Sequence, residues 1–186
     1  MSTWYLAGGG PSLKNFDWSR LYNKNVIAIN RSFQKLPNAP IILFQDFHFW
    51  QWYQKELVTH PALIITCEKR IDHPKVTVYK KSGPTGIDER PGYLRTGNNS
   101  GFAAINLAYH LGAKKIFLLG YDMKFSDNKS HWHDGYKIAN YEKTFSKMIK
   151  YFISVVLPLE KHGIDIYNAC PDSQIECFTK ISLDDI

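Results

Sequence analysis

The chain has 186 residues, enough for a single domain, 1–186, with its own core. Its apolar and charged fractions, 44% and 22%, exclude a disordered chain, and no apolar run reaches the length of a membrane span. The formal charge of +6 suits a phosphorylated or polyanionic partner, but the basic residues are scattered and form no nucleic-acid-binding block.

Trp4 to Ala7 reads as a first strand that stops at Gly8-Gly9-Gly10-Pro11-Ser12. Glycines let a backbone approach a ligand and expose N–H groups to an anion, and Pro11 and Ser12 suit the first turn of a helix whose N-terminus favours phosphate. The loop is neither a dinucleotide fingerprint, because Leu13 stands where the third glycine belongs, nor a Walker loop. A tight strand-to-helix turn explains the same residues. Valine at Gly9 or Gly10 is expected to abolish ligand binding while leaving the chain folded. Val26 to Ile29 and Ile41 to Phe44 are two further buried strands, ending at Asn30-Arg31 and Gln45-Asp46. Open α/β sheets bind ligands beyond the carboxyl ends of their strands, so Asn30 and Asp46 are expected on one crevice with the glycine loop.

Phe47 to Tyr53 starts a helix whose rings are core or helix cover. Ala62 to Thr66 and Lys75 to Tyr79 are β-branched strands. Lys80 to Gly97 is a polar loop in which Arg90 or Arg95 is a candidate to close over a phosphate. Ser100 to Leu111 is apolar almost all round, a helix covered on more than one side, with Gly112 as its stop. At its head, the Thr96 to Ser100 run is a candidate set of phosphate donors, or else an N-cap, for which Asn99 and Ser100 are good residues. Ile116 to Leu119 is a buried strand ended by Gly120, with Asp122 and His131-Trp132-His133-Asp134 beyond it. A long amphipathic helix spans Ile138 to Leu159, kinked or ended by Pro158, and Ile164 to Tyr167 is the last strand. The tail from Asp172 carries no pattern. These seven strands and the helices between them specify an α/β fold: a doubly wound, mainly parallel, Rossmann-like sheet with helices on both faces.

Two readings compete for the histidines. With Asp122 and Asp134 they could ligate a metal, but nothing else has ligand spacing and no metal is assigned. As a general base an imidazole can take a proton from an acceptor hydroxyl, and His133 is preferred over His131 for its adjacent carboxylate. Residues two apart in an extended segment share a side, which turns Trp132 away into packing. Asp122 either binds a sugar hydroxyl or caps its turn. Cys67, Cys170 and Cys177 have no metal or redox spacing and suit a reducing, cytoplasmic setting.

Several of these stretches together resemble one family. Gly8-Gly9-Gly10-Pro11-Ser12-Leu13-Lys14 and the following Phe16-Asp17-Trp18-Ser19-Arg20-Leu21 resemble the Gly-Asn-Gly-Pro-Ser-Leu opening of glycosyltransferase family 42, the bacterial sialyltransferases. Asn30-Arg31 sits at the family's Cys-Asn-Gln, Asp46 near its asparagine after the third strand, and Asn99-Ser100-Gly101 at its Thr-Ser-Gly. Leu111 to Asp122 resembles its Leu-Gly-Tyr-Lys-Glu-Ile-Tyr-Leu-Ser-Gly-Ile-Asp, and Asn168 to Ser173 its Cys-Pro-Asn-Ser end. The layout is similar also to domain of unknown function 115 and to archaeal hydroxymethylpterin diphosphokinases. The resemblance implies a small phage or bacterial transferase. Gly8 to Ser12, Asn30, Ser100, Gly101, Gly120 and Asp122 would hold a nucleotide-sugar, CMP-linked in the sialyltransferases, and His131 or His133 would be a base that works without metal. Two departures stand out: Met123, Lys124 and Phe125 replace phosphate-contacting tyrosines, with Lys124 supplying charge instead, and the lid interval before the histidines is short.

The expectation is therefore a glycosyltransferase that joins a nucleotide-sugar to an acceptor hydroxyl and requires no cofactor. The alternatives are a diphosphokinase-like transferase using Mg-ATP, with Asp46, Asp122 and Asp134 on the metal, and a non-catalytic nucleotide- or nucleic-acid-binding module. A homo-oligomer and a membrane-surface partner stay open.

Overall fold

A computed structural model describes residues 2–125, 130–133 and 141–186. Among the described residues there are ten strands: β1 (Thr3–Ala7), β2 (Val26–Ile29), β3 (Ile41–Phe44), β4 (Leu63–Thr66), β5 (Val76–Val78), β6 (Lys80–Lys81), β7 (Tyr93–Leu94), β8 (Lys115–Leu119), β9 (Asp165–Asn168) and β10 (Thr179–Lys180). Four α-helices accompany them among the same residues: α1 (Phe47–Thr59), α2 (Ser100–His110), α3 (Tyr141–Phe152) and α4 (Val156–Lys161). Eight strands form one sheet in the order β10-β9-β8-β1-β2-β3-β4-β5, every pair parallel.

The apolar strands alternate between two cores. Leu6, Ile27, Ile29, Ile41 and Leu43 point to the face covered by Phe102, Ala103 and Leu107 of α2 and by Phe152 and Leu159. Their neighbours Ala7, Val26, Ala28, Ile42 and Phe44 point to the face covered by Phe49, Trp50 and Leu57 of α1. Burial on both faces is what a continuous apolar run at a period of two requires, and it makes this a doubly wound sheet. From β1 the chain winds outward to β5, then returns to place β8 on the other side of β1. The switch point lies between β1 and β8, the strands that end in Gly8 and Gly120.

Three expectations are corrected. The sheet has eight strands, because β10 forms in the patternless tail. The 80–97 segment is not structureless, since β6 and β7 pair within it, Lys80 with Tyr93 and Lys81 with Leu94. The single helix expected from Ile138 to Leu159 is two, α3 and α4, joined by a 3-10 turn over Ile153–Val155. Pro158 lacks an N–H and its ring crowds the carbonyl four residues back, at Ser154, which is where the helix breaks. Ile138 lies outside the described residues.

Candidate active site at the sheet switch point

The glycine loop is fastened to the strand beside it. The N–H groups of Gly8 and Gly10 donate to the carbonyls of Leu119 and Gly120, both at 2.8 Å, and the buried Ser32 hydroxyl donates to Gly8 O at 2.6 Å. Ser12 is turned onto Asp122: its N–H donates to Oδ1 at 2.9 Å and its hydroxyl to Oδ2 at 2.8 Å, with Cys170 Sγ 3.3 Å from the same hydroxyl. Burial raises the Asp122 carboxyl, and these Ser12 bonds oppose it. Burial also pushes the Cys170 thiol up to about 12, so it stays protonated. Close approach dictates the glycines. A Cβ on Gly10 would stand 1.9 Å from Asp122 Oδ2 and 2.6 Å from Gly120 O, and Gly120 has φ +69° with Leu13 Cδ1 2.6 Å from where its Cβ would be.

This geometry corrects the expected cradle. Pro11 has no N–H, and those of Gly8, Gly10 and Ser12 are consumed within the fold, so within the loop only Gly9 N–H has no partner among the described residues. Ser12 and Asp122 serve each other, and Pro11 opens only a three-residue 3-10 turn, Pro11–Leu13, too short for a helix dipole. Valine at Gly10 would break the clamp instead of merely blocking a ligand.

A cavity of about 610 Å³ opens beyond the strand ends, in the size range of small-molecule sites. Its wall includes Gly8, Gly9, Gly10, Asn30, Asp46, Asn99, Ser100, Gly101, Gly120 and His131. Asn30 and Asp46 thus face one crevice. Asn30 adopts φ +51°, and its Oδ1 lies 3.5 Å from Ser100 Oγ. Asp46 caps α1 by accepting from His48 N–H at 2.8 Å. Asn99 caps α2, accepting from Phe102 N–H at 2.7 Å, while the N–H groups of Ser100 and Gly101 have no partner among the described residues. Together with Gly9 N–H they give the cavity donors backed by the positive end of an 11-residue helix.

His131 enters the cavity because its neighbour is anchored. Trp132 N–H donates to Gly9 O at 3.0 Å, and its ring packs between Trp18, 5.4 Å away, and the His133 ring, which it meets edge-on at 4.8 Å. His131 and His133 stack on each other at 5.2 Å. Ser130 Oγ is 2.8 Å from His131 Nδ1. Burial, with the Arg31 guanidinium behind it, lowers the His131 imidazole to about 4, so the ring is neutral at pH 7. His133, preferred from sequence, is absent from the cavity wall and lies 3.2 Å from Arg31 Nη1. Asp134, the reason for that preference, lies outside the described residues.

Other expected residues stand elsewhere. Arg31 bonds Gln34 at 2.9 Å besides meeting His133, and Lys124 pairs with Asp172 at 3.9 Å; neither lines the cavity. Arg90 and Arg95 serve Asp88, a buried carboxylate held well below its usual range by the bidentate Arg90 contact. No group of three His, Cys, Asp or Glu side chains that could hold a metal occurs among the described residues. Nor is any described helix long and apolar enough to cross a membrane. Sequence reasoning missed Cys67, Glu68, Arg70 and Lys81 in the wall. Cys67 and Glu68 directly follow β4, so the strand-end criterion used for β1 to β3 points to them as well. Arg70 grips Glu68 through two bonds of 2.8 and 2.7 Å and lies over the Phe47 ring, which holds Glu68 at about 2.

The molecule is a Rossmann-like parallel α/β domain with its cavity at the switch point of the sheet. No family model matches the chain, and no curated protein does. Among solved structures, it matches the sialyltransferase CST-II in complex with a trisaccharide acceptor and CMP at a TM-score of 0.57 and 21% identity, over 97% of this chain and 86% of that one. It also matches CstII from Campylobacter jejuni in complex with cytidine-5'-monophosphate at 0.54 and 19%, over 96% and 84%. The chain shares the fold of these sialyltransferases.

Proposed function

We infer that the protein is a glycosyltransferase that uses a nucleotide-sugar, CMP-linked by analogy with the complexes of its structural neighbours. One observation carries this reading: a neutral imidazole and a set of unengaged backbone donors line one cavity at the switch point. The nucleotide lies between the glycine loop and the head of α2. Gly9, Ser100 and Gly101 N–H groups receive the charge that grows on the leaving phosphate, where prearranged dipoles act most strongly. The acceptor hydroxyl oxygen attacks the anomeric carbon, the bond from that carbon to the phosphate oxygen breaks, and the hydroxyl proton passes to His131. In the tautomer whose Nδ1–H donates to Ser130 Oγ, the Nε2 lone pair is the receiving atom. His131 replaces His133 in this role because it is the histidine in the cavity wall. No metal is assigned a part.

The test is release of CMP from a CMP-linked sugar, with an acceptor present, in excess chelator. Turnover is expected, and His131→Ala lowers it by about two to four orders of magnitude with donor affinity little changed. Full activity in that variant removes the histidine mechanism. Turnover that vanishes with the chelator, or consumption of ATP instead, moves the reading to the Mg-ATP transferase.

A further inference from the structure

The outward side of α3 and α4 carries a pattern that the fold does not use. Exposed residues recur along it at Lys147, Lys150, Ile153, Leu157 and Lys161, three or four positions apart, the spacing of one side of a helix. The inward side is Phe152, Val155 and Leu159, buried against the sheet. Ile153 is 62% exposed and Leu157 75%, more than any other large apolar side chain among the described residues. One such side chain in solvent is ordinary. Two on adjacent turns, bracketed by lysines at both ends, make a patch.

Charge decides what the patch fits. Lys147, Lys150 and Lys161 have no ion-pair partner among the described residues, and Lys150 Nζ lies 5.3 Å over the Tyr151 ring. Lys114 adds a further ammonium at the end of α4, 3.4 Å from His162 O. The nearby carboxylates are turned elsewhere: Glu160 and Asp165 line the cleft between α4 and β9, and Glu89 meets His162 at 3.2 Å. A protein partner fits poorly. Stable protein interfaces bury about 1,200 Å² or more and are depleted of lysine at their centre. A second copy packed about a two-fold axis would set lysine against lysine, because lysines stand at both ends of the stripe. An anionic bilayer suits both features. Aliphatic side chains enter the acyl boundary, while lysines lay their methylene stems along it and put their ammoniums on the headgroups.

We propose that the outward side of α3 and α4 docks the protein on an anionic bilayer surface, with Ile153 and Leu157 entering the bilayer and Lys147, Lys150 and Lys161 on its headgroups. Docking does not depend on the transferase reading. It bears on the site all the same, because Thr144, Phe145 and Met148 of α3 also wall the cavity. A chain docked this way holds the cavity about one helix diameter, roughly 10 Å, from the bilayer.

The test is co-sedimentation of the full chain with vesicles of phosphatidylcholine containing about 30% phosphatidylglycerol, and with vesicles of phosphatidylcholine alone. The mixed vesicles are expected to carry the protein down, the neutral ones much less, and added salt to release it. Ile153→Ser combined with Leu157→Ser should weaken binding about tenfold or more without lowering Tm, since both side chains already stand in solvent. Lys147→Gln and Lys150→Gln should each weaken binding to the mixed vesicles about fivefold and leave the residual binding to phosphatidylcholine as it was. Equal binding to the two vesicle types, or an undiminished affinity in the double serine variant, overturns the proposal. So does a chain that ignores both vesicles but sediments as a dimer which the serine variant dissociates, for the face is then a contact between copies.

Discussion

His131 makes folding stability depend on pH in a direction that can be worked out. In the folded protein burial, with Arg31 behind it, lowers its imidazole to about 4, against 6.5 as the ordinary value. Between those values the unfolded chain binds a proton that the folded chain refuses. Stability present above about pH 6.5 is therefore lost as pH falls toward 4, and the loss ends there. At about 1.4 kcal/mol per pH unit the interval amounts to about 3 kcal/mol, reduced somewhat because the ring is not completely shielded from water. Replacing His131 with Gln removes the titration. Urea unfolding of both proteins from pH 7.5 to 4 should show the variant gaining on the native chain by about 2–3 kcal/mol over that range, a large fraction of a typical domain's stability. His133→Gln serves as the control. Parallel profiles for native protein and His131→Gln, or an NMR titration placing His131 at or above 6.5, would refute the buried neutral imidazole.

Glycine substitutions separate the two tasks of the loop. Gly10→Ala drives a methyl into the Asp122 carboxylate and the Gly120 carbonyl, and thermal unfolding should show a severely destabilised or unfolded chain. Gly9→Ala meets only the His131 ring, 2.8 Å away at Cδ2, so it should fold, shift the His131 resonances and lower turnover. Asn106→Ala should cost about 2–5 kcal/mol in urea unfolding, because Asn106 Oδ1 accepts from the N–H groups of Asp88 and Arg95 at 3.0 and 2.8 Å and both donors would be left buried and unbonded. A loss under about 1 kcal/mol would mean that water replaces the amide.

The sheet was legible because its strands are short apolar runs bounded by glycine and polar residues, and because their carboxyl ends mark the ligand side of such a fold. Val26–Ile29 and Ile41–Phe44 have the bounds expected of them. The site was legible only as a neighbourhood. Which face of a loop residue is used depends on partners far away in the chain: Ser12 meets Asp122 across 110 positions, and Arg31 meets His133 across 102. Such pairings have no periodicity to betray them. Asn106 was hidden for another reason. It sits in a helix whose other residues are nearly all apolar, and only the structure shows that it pins the segment carrying Asp88 and Arg95. Lys81 was read as part of a loop because two-residue strands such as β6 and β7 are too short to leave a pattern.

The proposal that the switch-point cavity holds a cytidine nucleotide is tested most directly by a thermal-shift titration with CMP in the presence of a chelator. At a hundred times its Kd, a ligand bound only by the folded state adds about 2.7 kcal/mol, which for a chain of this size raises Tm by about 5–10 °C. The account predicts a saturable rise of that order with CMP and none with ribose. A Tm unmoved by millimolar CMP, or one that rises only with ATP and magnesium together, would contradict it.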